Sequence, residues 1–388
     1  MAGILEGIRV LDLGRIISAP YCAMLMGDMG AEVIKVEKAG KGDDMRDMWP
    51  MDFPAVNRNK KSVTIQFRSD EGKELLRRLI EKSDVLVENF RPGTMEKMGF
   101  GYEEVKKINP RMIMVSISGF GQTGPYKNRA AFDSIIQAMS GVMSVTGTVQ
   151  SGPARIGAPL LDHISGLFAL NGILMALWER QKTGEGQYID VSMLDCAVPM
   201  LFTHIPNYSA MNIIAATEDA NAPTAVPSGT YQAKDGRIFV NGGFPALFKY
   251  IREIIGNPEL MKDEYLDTAY RQKHYKEVNA LVQDWMKDHT CDEIDEIMTK
   301  GGVPAGIVNT IDRVFTNPQV NARGTLVDID VEGYGKVKFG ANPLKMSNHP
   351  ALEYRPGHAL GQDNQDVYGG LLGLSTEEIA ALAEKQAI

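Results

Sequence analysis

Cysteine is scarce in this chain: Cys22, Cys196 and Cys291 are the only three in 388 residues, and no two form a CxxC pair. That spacing excludes a disulfide framework and a structural zinc site. The six histidines are as dispersed, with no pair at helical metal-ligand spacing, so no metal is expected. A formal net charge of −8 argues against a general nucleic-acid or anionic-membrane surface, although a local basic pocket for a phosphate-bearing ligand remains compatible with it. Long apolar runs are missing too. The longest uncharged stretch, roughly His163 to Trp178, falls short of the ~20 apolar residues that cross a bilayer. The opening MAGILEGIRV carries an acid and a base early, so no signal peptide is expected and a reducing cytoplasm fits.

What the chain does contain is an ordinary globular mixture, 44% hydrophobic and 23% charged, over a length that suggests two domains. Short apolar runs at Ile8–Leu13, Val33–Glu37, Ser62–Phe67, Val85–Glu88 and Met112–Ile117 alternate with helical stretches at Ala19–Met29 and Asp70–Lys82. Strands apolar on both faces and separated by helices indicate a parallel, doubly wound α/β sheet. A long apolar helix is expected from about His163 to Lys182, closed by Thr183-Gly184, with a strand at Gln187–Val191 after it. Asn221–Ser228 (NAPTAVPS) reads as a linker. Hairpins are expected around Asp235-Gly236 and over Leu326–Phe339, and Ser375 with Glu378 forms a capping box before a last helix. Met24, Met26 and Met29 read as core.

A formal GxGxxG, Gly119 to Gly124, follows a strand but leads into Pro125 rather than a helix. It reads as a turn that lets backbone approach a ligand, not as a dinucleotide site. Asp162, in GAPLLDHISG, sits where a loop meets the long helix. A carboxylate there serves as an N-cap, and the same helix end would keep it ionised and nucleophilic. His163 is its chain neighbour, and adjacent helical residues do not face each other, so an Asp–His dyad is not expected.

The segments VLDLGRIISAP, MGAEVIKVEKAGKGDDMR, NRNKKSV, DVLVENFRPGTMEKMG, SGFGQTGP, AFDSIIQAMSG, LLDHISG, ERQKTGEGQYIDVSMLD and ARGTL follow one another in the order seen in the CaiB/BaiF family, the class III CoA-transferases, and the chain resembles that family over nearly its whole length. The resemblance implies a Rossmann-like large domain over 1–200, a linker at 201–225, a small α+β domain at 226–304, and a segment 305–388 returning to the large domain. It also implies an interlocked homodimer, with coenzyme A between the large domain of one subunit and the small domain of the other. Asp162 falls at the family's nucleophilic aspartate. Lys38, Asn89, Phe90, Arg91 and Lys97 fall at positions that contact coenzyme A, with Arg46 a weaker candidate. Acyl-CoA and a free carboxylic acid would be the substrates, with no permanently bound cofactor. Each step builds a tetrahedral oxyanion, for which the N–H groups of Gly242-Gly243 are candidates; the pair also reads as an ordinary strand-end turn.

The same fold family includes α-methylacyl-CoA racemases, whose acid–base histidine lies in a motif like AGHDINY. AAFDSII aligns with it here and places Phe132, thirty positions before Asp162, where that histidine would stand. Phenylalanine exchanges no proton, which argues against racemisation and leaves Phe132 as a wall of the coenzyme A site. A catalytically idle CoA-binding protein is the other alternative.

Overall fold

In the computed structural model, which describes residues 3–217, 221, 224–349 and 353–388, two compact units emerge. The first comprises Met1–Met143, Arg155–Ile213 and Asn321–Ile388; the second comprises Ser144–Ala154 and Ile214–Val320. Of the stretch expected to link the domains, residues 218–220 and 222–223 lie outside the described residues, and His204–Met211 is a helix of the first unit.

The first unit is built on six strands: β1 (Arg9–Asp12), β2 (Glu32–Lys38), β3 (Lys60–Ile65), β4 (Val85–Glu88), β5 (Ile113–Ser118) and β6 (Tyr188–Ser192). They lie in the order β3-β2-β1-β4-β5-β6, and every pairing is parallel. Strand order reverses between β1 and β4, so this is a doubly wound sheet whose ligand crevice is expected at the carboxyl ends of those two strands. The central strands are largely buried, β4 and β5 at every residue, which is why they read as mostly apolar runs without a polar alternation.

The helices that matter here are α1 (Ser18–Asp28), α2 (Asp70–Glu81), α3 (Asp133–Ser140), α4 (Leu160–Thr183) and α5 (Met193–Ala197). Helix α2 follows from sequence directly. Ser69 caps it by accepting from Gly72 N–H, acids fill its first turn, and Leu75, Leu76, Leu79 and Ile80 form its buried stripe. Helix α4 differs from expectation at its start. It begins at Leu160 rather than near His163, and its 24 residues are long and apolar enough to cross a membrane by length and composition. The shorter apolar stretch counted in the sequence missed this because Leu160 and Leu161 extend the helix beyond Asp162. One face of α4, with Leu161, Ser165, Gly166, Ala169, Ile173 and Ala176, is buried in the core shared with α1, β5 and β6. Gly166 permits the contact with α1, since a Cβ there would stand 2.8 Å from the Ser18 carbonyl oxygen.

The second unit holds an antiparallel sheet of β7 (Ser228–Gln232), β8 (Arg237–Asn241) and β9 (Ala305–Ile307), with β8 central. Helices α6 (Pro245–Ile255), α7 (Tyr275–Met286) and α8 (Cys291–Lys300) supply much of its separate core, Phe248, Ile251, Val282 and Ile294 among them. The C-terminal helix Thr376–Glu384 carries the capping box of Ser375 and Glu378, and Met24, Met26 and Met29 are core.

Beneath the carboxyl ends of β1 and β2 lies a buried cluster of charge. Lys60 Nζ donates to Asp12 Oδ2 at 2.7 Å, to the Pro20 carbonyl at 2.7 Å and to Asn57 Oδ1 at 2.9 Å. Lys35 Nζ lies 3.0 Å from Asp43 Oδ2 and donates to the Gly14 carbonyl at 2.9 Å. Burial pulls the Lys60 ammonium down to about 8 against the opposing field of Asp12. Burial would depress Lys35 likewise, but Asp12, Asp43 and Glu37 together hold it above its ordinary value. Lys60→Met leaves Asp12 buried without its closest cation, and should cost about 3 kcal/mol in urea unfolding, in line with broken buried pairs; an unchanged midpoint would show that the cluster is not structural.

Candidate active site

The loop leaving β1 is pinned at nearly every polar atom. Gly14 N–H donates to Asp12 Oδ1 at 2.8 Å, and Ile16 N–H donates to both oxygens of Asp43 at 3.2 Å. Asn89, immediately after β4, bridges the switch point: its Oδ1 accepts from Arg15 N–H at 2.8 Å, and its Nδ2 donates to the Arg15 carbonyl at 2.8 Å. Ile16 is held at φ 65°, a left-handed conformation costly for a β-branched residue that persists only where its surroundings impose it. The loop delivers the chain into α1, whose first residue is the buried Ser18.

Asp162 lies in the first turn of α4, as its third residue and not as its N-cap. The capping carboxylate comes from elsewhere in the chain. Asp133, the first residue of α3, accepts from Leu161 N–H at 2.7 Å and from Asp162 N–H at 3.3 Å through Oδ2. Its other oxygen is bound by the Gln137 amide, whose own oxygen accepts from Ile156 N–H at 2.8 Å. Thus α3 fixes both the start of α4 and, through Ile156, the loop that leads to it.

This arrangement reverses the expected electrostatics of Asp162. A helix N-terminus alone would hold its proton affinity down. Instead burial, and then the neighbouring Asp133 charge, push it up to about 7, with the hydrogen bond from Ser18 acting in the opposite sense. His163 does not join it: its Nδ1 is 2.7 Å from the Pro159 carbonyl, and its ring meets Tyr21 edge-on at 4.5 Å. Phe132 is 73% exposed, directly before α3.

The sequence-assigned coenzyme A contacts fall into two groups. Lys38 at the end of β2, Arg91 after β4 and Lys97 in the short helix Thr94–Met98 are exposed at or beyond the strands' carboxyl ends. The others have internal partners. Both amide hydrogens of Asn89 are engaged, since Nδ2 also donates to Ser18 Oγ at 3.0 Å. Phe90 packs on the core of the sheet, and its N–H donates to Glu88 Oε2 at 2.6 Å. Burial pushes the Glu88 carboxyl up to about 7. Arg46 is occupied by a bidentate pair with Glu37 at 2.8 and 2.7 Å and lies 4.0 Å over Phe53.

Gly242 and Gly243 belong to the second unit, just after β8. The Gly242 N–H is already bound to the Pro227 carbonyl at 2.8 Å, so it is not a spare oxyanion donor. Close packing explains the glycines: a Cβ would meet Ile251 at 2.0 Å or Ala225 at 2.8 Å. In the Gly119–Gly124 turn, Gly121 and Gly124 take φ of 80° and 82°, and Gln122 N–H donates to Asp190.

A carboxylate at the switch-point edge of a doubly wound sheet, with basic side chains at the strand ends, is the setting in which the sequence comparison becomes decisive: residues 5–364 match CoA-transferase family III. The chain belongs to that family. It is 37% identical to the succinyl-CoA–D-citramalate CoA-transferase of Chloroflexus aurantiacus, covering 99% of this chain and 98% of that one. It is 33% identical to the human succinyl-CoA:glutarate CoA-transferase, covering 97% and 88% respectively. The crystal structure of a CaiB/BaiF family protein from Brucella suis superposes with a TM-score of 0.88 at 34% identity, over 96% of this chain and all of that one.

As a class III CoA-transferase the enzyme works on CoA thioesters. Two residues of its site went unassigned from sequence. Asp133 was visible only as the acid in AFDSII, and its bond partner is 29 positions away. Ser18, in IISAP, stood one residue before the helix expected from Ala19 and drew no reading of its own.

Because the native state holds the Asp162 proton more tightly than an unfolded chain does, this group's contribution is most favourable below pH 4 and is lost as pH rises toward 7. Asp162→Asn removes the buried charge while keeping the shape. It should therefore raise stability at pH 8 by on the order of 2 kcal/mol and leave it nearly unchanged at pH 4. Chemical denaturation at the two pH values checks this.

Proposed function

We propose that the enzyme moves CoA from an acyl-CoA to a free carboxylic acid through covalent intermediates on Asp162. The observation carrying this reading is a half-buried carboxylate at the switch-point edge, its proton affinity raised to about 7, beside an imidazole that is turned to Pro159 and a phenylalanine at 132. A proton affinity near 7 would serve proton transfer as well, but with His163 turned away and Phe at 132 neither offers the partner base that proton exchange between two groups needs, which favours nucleophilic attack.

In the first step an Asp162 oxygen adds to the thioester carbonyl, the C–S bond breaks, and CoA thiolate leaves a mixed anhydride. The thiolate then adds to the Asp162 carbonyl carbon, the anhydride C–O bond breaks, and the donor acid departs as its carboxylate. Asp162 is now an aspartyl-CoA thioester. An acceptor carboxylate reverses the sequence: it expels thiolate to form its own anhydride, and thiolate attack on the acceptor carbonyl gives the new acyl-CoA and restores Asp162. No proton changes hands, and the sequence of steps calls for no metal and no permanently bound cofactor.

Lys38, Arg91 and Lys97 are the proposed coenzyme A contacts, because cations at strand ends suit its phosphates. Asn89 and Phe90 shape the same wall, and Phe132 offers an apolar face. Gly243 is retained as a candidate oxyanion donor. The named reactions of the relatives favour succinyl-CoA as donor and a dicarboxylic acid as acceptor.

A homodimer and a cytoplasmic location complete the proposal, with no nucleic acid or membrane as partner. The outer face of α4 leaves Leu167, Phe168, Leu174, Met175 and Trp178 exposed, a stripe at helical spacing whose burial would be favourable. The three cysteines are free and buried, as suits a reducing compartment.

With succinyl-CoA and a panel of dicarboxylic acids, CoA exchange should rise with pH about a midpoint near 7 as Asp162 ionises. Asp162→Ala should abolish exchange while CoA binding survives, and hydroxylamine should label Asp162 only in the presence of acyl-CoA. Exchange that persists in Asp162→Ala refutes the mechanism. Sedimentation should give a dimer, converted to monomer or aggregate by Met175→Asp with Trp178→Asp; a monomeric parent enzyme refutes the assembly.

A further inference from the structure

We infer that Arg271 is a positioning residue for the reaction: it grips the Gly243 carbonyl and so holds the Gly243 N–H ready for an oxyanion. The inference rests on the proposed covalent mechanism, in which each step builds an oxyanion. The geometry behind it lies wholly within the second unit.

Arg271 stands in the short helix Thr268–Lys273 and is 1% exposed. A guanidinium carries five N–H groups, and every one is engaged here. Nε donates to the Val226 carbonyl at 2.9 Å. Nη1 donates to the Tyr265 and Leu266 carbonyls at 2.8 and 3.1 Å. Nη2 donates to the Gly243 carbonyl at 3.0 Å and to Thr268 Oγ1 at 3.2 Å. The group also lies 4.4 Å over the ring of Phe248. All of these acceptors are neutral, and most are backbone carbonyls.

Burying a cation against neutral acceptors is costly, and an apolar side chain would fill a core at a lower free-energy cost. What arginine adds is reach. One planar group ties together the chain entering β7 at Val226, the turn after β8 at Gly243, and the segment from Tyr265 to Thr268. Lysine would keep the charge, but its three N–H groups sit on a single nitrogen and cannot span these segments.

The turn that Arg271 grips has little freedom left. The Gly242 N–H is bound to the Pro227 carbonyl at 2.8 Å, and a Cβ on Gly243 would stand 2.8 Å from that of Ala225. Gly243 is thus held by its carbonyl on one side and crowded by Ala225 on the other. Its N–H nevertheless has no acceptor among the described residues, although Gly243 is buried. Buried N–H groups without a partner are rare, and each costs about 1–3 kcal/mol. Arg271 and Ala225 together keep the turn from rotating to satisfy it. The donor is therefore fixed in advance, and an oxygen that gains negative charge in the transition state meets it without reorganisation.

The test compares the full-length enzyme with Arg271→Lys, Gly243→Ala, the double variant and Asp162→Asn. CoA exchange from succinyl-CoA, its KM and thermal unfolding are measured for each. Arg271→Lys is expected to lower kcat by roughly 10- to 100-fold and to change KM little. Gly243→Ala should behave alike, and the double variant should be no slower than the slower single, since both act through one donor. A purely structural role would give losses that multiply and follow Tm. In the unsubstituted enzyme, hydrogen exchange at the Gly243 amide should slow when succinyl-CoA is added, a readout that does not depend on any variant folding. Arg271→Lys that folds and keeps kcat within about twofold, losses that multiply, or Gly243 exchange unaffected by succinyl-CoA overturns the role of Arg271 and leaves Asp162 as the nucleophile. If Asp162→Asn still exchanges CoA, the covalent mechanism fails and the role of Arg271 with it.

Discussion

Everything at this site depends on the balanced charge buried under the ends of β1 and β2. Lys35, Lys60, Asp12 and Asp43 are each almost fully removed from water, which is costly unless every charge finds an opposite charge and its remaining hydrogen-bonding capacity is met. Here the remaining capacity is met largely by backbone. The Gly14 and Pro20 carbonyls, and the Gly14 and Ile16 N–H groups, are partners of the cluster. The cluster therefore does more than hold itself together. It converts a short loop, including the left-handed Ile16, into a rigid seat for the start of α1, with Asn89 locking the same loop to β4.

That rigidity allows Asp162 to be an uncomfortable residue. Its carboxylate is desolvated and placed beside a second carboxylate, two conditions that a helix N-terminus and one hydroxyl offset only in part. The discomfort is useful in the proposed chemistry. A carboxylate poorly solvated by water attacks a carbonyl more readily, and an aspartyl anhydride or thioester, being neutral, relieves the repulsion with Asp133. Stability is traded for reactivity at this single position, and the surrounding network absorbs the cost.

Much of the framework was legible in sequence because it is local. Val85–Val87 is an apolar run, α2 has its cap, its acidic first turn and its buried stripe within thirteen residues, and Ser375 with Glu378 writes its capping box in four. Asp162 was singled out by motif. Its environment was not, because that environment is assembled from distant parts of the chain: Asp133 from α3, Ser18 from α1, and Gly166 as the space between helices. For the same reason Asn89 and Arg46 looked available for ligand, whereas folding gives them internal partners, Arg15 with Ser18 for one and Glu37 for the other. The start of α4 was placed three residues late because Asp162 was read as its cap, whereas the cap it has comes from Asp133 and is invisible to any window read along the chain.

Asp133 sits at the first turn of one helix while closing the first turn of another. The position of Asp162 is thereby tied to a carboxylate on α3 as well as to the residues that lead up to it in sequence. Asp133 is thus a joint between two helices, and a change of side chain there would be felt at Asp162 through two backbone N–H groups at once.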